Sequence, residues 1–301
     1  YRVGSAWDFE NKMGPLIQAP AGALKEALTK LAPGETWALK PENIQGNPML
    51  WTPGVKWDVK PGSDTHLIEF FGPLLGVICA ENLSHAIDLV NQTGYGLTSG
   101  LESLDEREHE KWKASTRAGN LYVNRGTTGA MVLRQPFGGM RKSALGAGIK
   151  AGGPNYVSQF VDHKETGFPF VSAILKDHPL LRLSQKWRRK LDAGDLPKIK
   201  TDLEKTVHAI RSYLYQYEQE FSQEKDYFHL RGQDNIVRYL PVDTVLIRLH
   251  ADDNLFETLA RIAAATISRC NIEISIPNGL ENRGTVFLMG TDGEEMVGDA
   301  P

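Results

Sequence analysis

At 301 residues the chain is long enough for two domains, each able to bury a real core. Charged residues make up 24% and hydrophobic ones 41%, with a formal net charge of -3, a balance that argues against nucleic acid or an anionic membrane as a partner. No apolar run approaches the ~20 residues that span a bilayer, and two cysteines, Cys79 and Cys270, are too few for a disulfide framework and favour a reducing, cytoplasmic compartment.

Residues 1–80 are rich in Pro, Gly and Trp and alternate turns such as Lys60-Pro61-Gly62-Ser63 with β-like runs such as Val55–Val59. Leu24, Leu28 and Leu31 share one face of a short helix. The apolar run Leu74–Cys79 predicts a strand covered on both faces, where the Cys79 thiol would be inert packing. Ser84 can cap a helix through Ile87, Val90 and Asn91 that stops at Gly94. A charged helix over Asp105–Ala118 and a strand over Leu121–Asn124 complete a β-α-β pattern, which predicts a mostly parallel sheet.

After Phe160 the character changes. Residues 161–200 read as a connection with short helices, and Lys186-Trp187-Arg188-Arg189-Lys190 as a solvated helix face. Thr201-Asp202-Leu203-Glu204 has capping-box spacing. Leu203, Val207, Ile210, Leu214, Tyr217 and Phe221 then repeat at +4 and +3 steps, an amphipathic helix. A strand over Val242–Leu249, a helix opened by Asp252 or Asp253 and a strand over Ile272–Ile276 form a second β-α-β unit. The chain begins at Tyr1 without a methionine and ends at Pro301 just after a hydrophobic run, so it reads as a piece of a longer polypeptide.

Four blocks carry the chemistry. In Glu69-Phe70-Phe71-Gly72-Pro73 a carboxylate sits beside a tight bend, where it could accept hydrogen bonds from two ribose hydroxyls, with Phe71 on the same side. Gly119-Asn120-Leu121-Tyr122-Val123-Asn124 puts an Asn at each end of a strand. Gln135-Pro136-Phe137-Gly138-Gly139 lets backbone pass close to a ligand. Lys150-Ala151-Gly152-Gly153-Pro154 is a glycine nest able to offer converging N–H donors to an anion. The plainer readings are a strand-end acid, packing aromatics and turn glycines. The eight histidines have no metal-ligand spacing, so no metal is expected.

In this order the blocks resemble the C-terminal part of an NAD(P)-dependent aldehyde dehydrogenase. The last block resembles the L-glutamate-γ-semialdehyde (1-pyrroline-5-carboxylate) dehydrogenases, particularly the module of bifunctional proline utilization A proteins. The resemblance implies an α/β fold, the C-terminal part of a catalytic domain over residues 1–153, followed by an oligomerisation tail strand over 154–168. A linker over 169–200 and the start of a second, Rossmann-like α/β domain over 201–301 complete the expected order. It implies that Glu69 and Phe71 bind NAD, and that Gly152 and Gly153 hold the substrate α-carboxylate through two backbone N–H groups while Phe160 covers its aliphatic part. Asn124 and Phe137 would lie near the active site.

No catalytic residue is expected in this chain, because the family's nucleophilic cysteine falls upstream of Tyr1, as does the phosphate-binding half of the cofactor site. FAD is implied only if an upstream proline dehydrogenase domain is attached. The partners implied are the upstream remainder of the same protein, a small-molecule substrate and further copies of the chain in a homo-oligomer. An aldehyde dehydrogenase for another substrate and a non-catalytic member of the superfamily remain the alternatives.

Overall fold

The computed structural model describes residues 2–131, 134–146, 148–164, 166–167, 178–191, 197–250 and 252–277. The chain divides into two compact units, Tyr1–Val161 and Asp162–Pro301. Both mix helices and strands, an α/β architecture.

The first unit opens with helix α1 (Gly22–Thr29), which buries Ala27 and Leu28; Leu31 lies beyond its end and is exposed. Strands β1 (Thr36–Leu39) and β2 (Gly54–Trp57) pair antiparallel. The short helix α2 (Asp64–Leu67) leads to β3 (Leu74–Gly76), which joins β2 in parallel with Gly54 opposite Leu74. The strand expected to run to Cys79 therefore ends at Gly76, and Leu75 is 58% exposed. Cys79 is exposed as well, which corrects its reading as a packed thiol. An apolar run becomes a covered strand only where layers close on both faces, and β3 is the edge of this sheet.

Helix α3 (Leu83–Gln92) is capped by Asn82, not Ser84, because the Asn82 carboxamide oxygen accepts the His85 N–H at 3.0 Å. It buries Ile87 and Leu89, and Gly94 follows its end with φ +73°, the left-handed turn that glycine enters without strain. Strands β4 (Tyr95–Gly96) and β5 (Thr98–Leu101) precede helix α4 (Glu106–Ser115), whose Asp105 cap accepts the Arg107 N–H. Strand β6 (Asn120–Val123) pairs with β5 in parallel, the expected β-α-β unit. Strand β7 (Met140–Arg141) pairs antiparallel with β4, so the sheets of this unit are mixed rather than mostly parallel.

In the second unit helices α5 (Pro179–Leu191) and α6 (Pro197–Gln216) occupy part of the stretch expected as a linker. They are not a passive connection: Leu181 of α5 is buried with Ile210, Ala263 and Ile267, and Val207, Leu214 and Tyr217 pack on that cluster. The rest of that connection, residues 168–177 and 192–196, lies outside the described residues. Helix α6 begins at Pro197 rather than at Thr201, so Asp202 is a buried helical residue and not part of a cap. The basic run sits on α5 with Arg188 exposed beside Glu204.

A single π turn, Tyr217–Phe221, ends α6. Strands β8 (Lys225–Asp226) and β9 (Ile236–Val237) form a small antiparallel pair. Strand β10 (Thr244–Arg248), helix α7 (Leu255–Ile267) and strand β11 (Asn271–Ser275) then build the predicted β-α-β unit, with the strands parallel. The cap of α7 is Asn254, which exchanges both capping-box hydrogen bonds with Glu257; Asp253 turns instead to the His250 N–H.

Candidate functional site

Glu69 and Phe71 line an open pocket of about 300 Å³ together with Thr65, Ile68, Phe70 and Gly72. Glu69 is exposed and is the one charged residue among those lining it. Phe71 has φ +49° and is 82% exposed, an unusual state for an aromatic residue, which both loses contact with the core and enters the left-handed region. Gly72 sits against α1: a Cβ there would lie 2.4 Å from a Leu24 methyl. The loop is thus pressed from behind, and its acid and ring are displayed outward.

Thr65, which lines this pocket, is held by a charge pair that sequence reasoning passed over. Lys56 Nζ lies 2.9 Å from Glu35, with both side chains almost fully buried, and donates to the Thr65 hydroxyl at 3.3 Å. Desolvation alone would raise the Glu35 carboxyl; the Thr65 hydroxyl, the Ala32 N–H and the Lys56 ammonium hold it below the usual carboxylate value. His66 adds a second tie. Its Nδ1 accepts the Gly62 N–H at 2.9 Å, so the proton sits on Nε2, which donates to the Leu89 carbonyl at 2.8 Å. Helix α2, which feeds Glu69, is therefore fastened on both sides.

A second cluster forms around Phe137. Its backbone exchanges both hydrogen bonds with Ala151, at 3.2 and 3.0 Å, so the Phe137 block and the glycine nest meet as neighbouring extended segments. Gly119 packs so tightly on this pair that a Cβ would lie 1.8 Å from the Gly138 carbonyl oxygen. Asn120 donates to the Pro136 carbonyl at 3.1 Å and accepts from Gly138 N–H at 3.3 Å. Lys150 Nζ donates to the carbonyls of Gly119 and Gly138 and to the Asn120 side chain. Burial pulls the Lys150 ammonium down to about 8.

The nest itself differs from expectation. Gly152 has φ +74°, which suits glycine. Gly153, however, donates its N–H to the Lys150 carbonyl at 3.0 Å. A tight turn therefore satisfies one of the two expected anion donors internally. Phe160 lies on a 3-10 turn, Val157–Phe160, where a strand was expected, and its ring meets Tyr156 edge-on at 5.5 Å. It is 72% exposed.

Asn124 has φ +55°, and both ends of its carboxamide are engaged: Oδ1 accepts the Ser103 N–H at 2.9 Å and Nδ2 donates to the Ser103 carbonyl at 2.8 Å. These two bonds close the end of β6. None of the residues lining the Glu69 pocket belongs to the Phe137–Phe160 segment. Among the described residues no three His, Cys, Asp or Glu side chains gather as a metal site. The sequence points to Asn120 only as a strand-end residue and to Lys150 only as the first residue of the glycine block.

The family model described as "Aldehyde dehydrogenase family" matches residues 1–166. The 1-pyrroline-5-carboxylate dehydrogenase of Geobacillus sp. (strain WCH70) is 43% identical over 157 residues, which are 52% of this chain and 30% of that protein. The protein of the same name from Bacillus subtilis (strain 168) is 32% identical over 169 residues, 56% of this chain and 32% of its own length. The chain thus spans about a third of the curated relatives it matches. Among solved structures, Proline Utilization A (PutA) from Corynebacterium freiburgense superposes with a TM-score of 0.75 at 37% identity, covering 91% of this chain and 26% of that one. That likeness reaches beyond residue 166 into the second unit.

Proposed function

Since the chain belongs to the aldehyde dehydrogenase family, we propose that it is part of a longer enzyme that oxidises L-glutamate γ-semialdehyde to L-glutamate with NAD+. The observation that carries this reading is the pairing of Phe137 with Ala151, which ties the Gly152-Gly153 nest to a block typical of the family. Its support is the 43% identity to a 1-pyrroline-5-carboxylate dehydrogenase.

In this reading each group of the chain has a definite task. The Glu69 carboxylate accepts hydrogen bonds from the nicotinamide ribose, and Phe71 packs against that ribose; an exposed acid beside an outward ring in an open pocket suits both roles. NAD supplies the hydride acceptor when bound. Gly152 offers its N–H to the substrate carboxylate, and Phe160 covers the aliphatic stem. The thiolate that attacks the aldehyde and the group that activates water lie outside this chain.

The same reading makes residues 154–168 a tail that pairs between subunits, and the protein cytoplasmic. FAD enters only where a proline dehydrogenase domain is attached. The inward Gly153 N–H favours one rival, an aldehyde dehydrogenase whose substrate lacks a charged far end.

Initial rates of NADH formation by the full-length protein decide between them. A preference for glutamate semialdehyde over propanal is expected. The isolated 301-residue chain should form no NADH with either aldehyde, and turnover by it would overturn the placement of the nucleophile elsewhere.

A further inference from the structure

We propose that Lys150 is a positioning residue that makes the site selective for a substrate with a negatively charged far end, a proposal that rests on the reading of Gly152 as the carboxylate anchor. An ammonium has three N–H donors and no acceptor. At Lys150 all three are used, on Gly119, Asn120 and Gly138, which belong to two different segments. Each of these acceptors is neutral. Among the described residues the charge is therefore solvated by the protein yet not cancelled by a carboxylate, and it stands at the start of the Ala151-Gly152-Gly153 loop.

The main chain of the same residue shapes the loop too. The Lys150 carbonyl accepts the Gly153 N–H, its Cα crowds Gly138, and the following residue, Ala151, is hydrogen-bonded both ways to Phe137. One end of the loop is thus bolted to β6 and to the Phe137 block, while Gly152 and Gly153 remain glycines able to turn. Holding one end reduces what ordering the loop around a carboxylate costs. The uncancelled ammonium biases that loop toward an anion.

Such a residue acts on binding of the charged substrate and not on bond making. In the full-length protein, Lys150→Met keeps the apolar stem and removes the donors and the charge. It should raise KM for glutamate semialdehyde about tenfold or more, with kcat changed less than about threefold. KM for propanal should move less than about twofold. Hydrogen exchange of the amides of residues 150–153 in the same protein should accelerate about tenfold, with α7 unchanged.

Lys150→Arg keeps the charge but spreads the donors over a planar fork. It should show the same selective KM rise in smaller measure, and serves if Lys150→Met does not fold. An equal KM rise for both aldehydes, or no selective rise in either variant, overturns the proposal. If the wild-type protein oxidises propanal and not glutamate semialdehyde, the substrate reading fails instead. The exchange of residues 150–153 then decides alone whether Lys150 holds the loop, and unchanged exchange rejects it.

Discussion

Phe137 and Ala151 exchange both of their backbone hydrogen bonds, at 3.2 and 3.0 Å, and this one bridge carries the glycine nest to the Phe137 block. Beneath it, Gly119 and the Gly138 carbonyl approach so closely that no side chain fits between them. Gly119→Ala forces its Cβ into backbone, not into a flexible side-chain tip, and should destabilise the first unit by about 3 kcal/mol or more. Chemical denaturation followed by tryptophan fluorescence checks this; a loss under about 1 kcal/mol contradicts the packing described.

Gly152 should tolerate substitution poorly for a different reason. At φ +74° an alanine is strained by about 1 kcal/mol, and a valine by more. In the full-length enzyme Gly152→Val should raise KM for glutamate semialdehyde well beyond its effect on propanal. Equal effects on both aldehydes would detach this loop from the substrate carboxylate.

Glu69 and Phe71 separate by the kind of damage their loss causes. Glu69→Gln keeps the shape but weakens a charge-assisted bond to a hydroxyl, so KM for NAD+ should rise by about tenfold with little change in thermal stability. Phe71→Gly removes the ring but relieves a positive φ, and should weaken NAD+ while stabilising the fold by up to about 1 kcal/mol. Titration of NAD+ and differential scanning calorimetry read the two arms.

Asn124→Ala breaks both hydrogen bonds to Ser103 and leaves a non-glycine residue at φ +55°. The expected result is a stability loss of roughly 1–3 kcal/mol with KM values for aldehyde and NAD+ unchanged. A catalytic role for Asn124 would instead appear as a large fall in kcat at unchanged stability.

The buried Glu35–Lys56 pair predicts the acid response. Glu35 holds its proton less tightly in the folded chain than at the ordinary 4.5, so its contribution is complete above that pH. It disappears as pH falls through the lowered folded value. Glu35→Gln should therefore flatten the stability profile below pH 4.5 and, by leaving Lys56 unpaired, cost roughly 3–5 kcal/mol near neutrality. Urea unfolding of both proteins across the acid range tests it.

Periodicity located α6, because the steps of Leu203, Val207, Ile210 and Leu214 admit only one buried face. Caps were less legible. Ser84, Thr201 and Asp253 are as suited to capping as Asn82 and Asn254, and the choice depends on which side chain reaches a free N–H once the chain has turned. The Leu74–Cys79 run was misread for a related reason: apolar sequence states what can be buried, not whether a layer arrives to bury it.

The Glu69-Phe70-Phe71-Gly72-Pro73 block, the Phe137 block and the Gly152-Gly153 nest were determined by local residue type, since bend, carboxylate and glycine conformations are short-range properties. Their order along the chain resembles the aldehyde dehydrogenase family, whose model matches residues 1–166. Only tertiary structure decided that Asn124 clamps Ser103 and that Lys150 joins Gly119, Asn120 and Gly138. Hydrogen-bond partners far apart in sequence are chosen by packing, which no local pattern encodes.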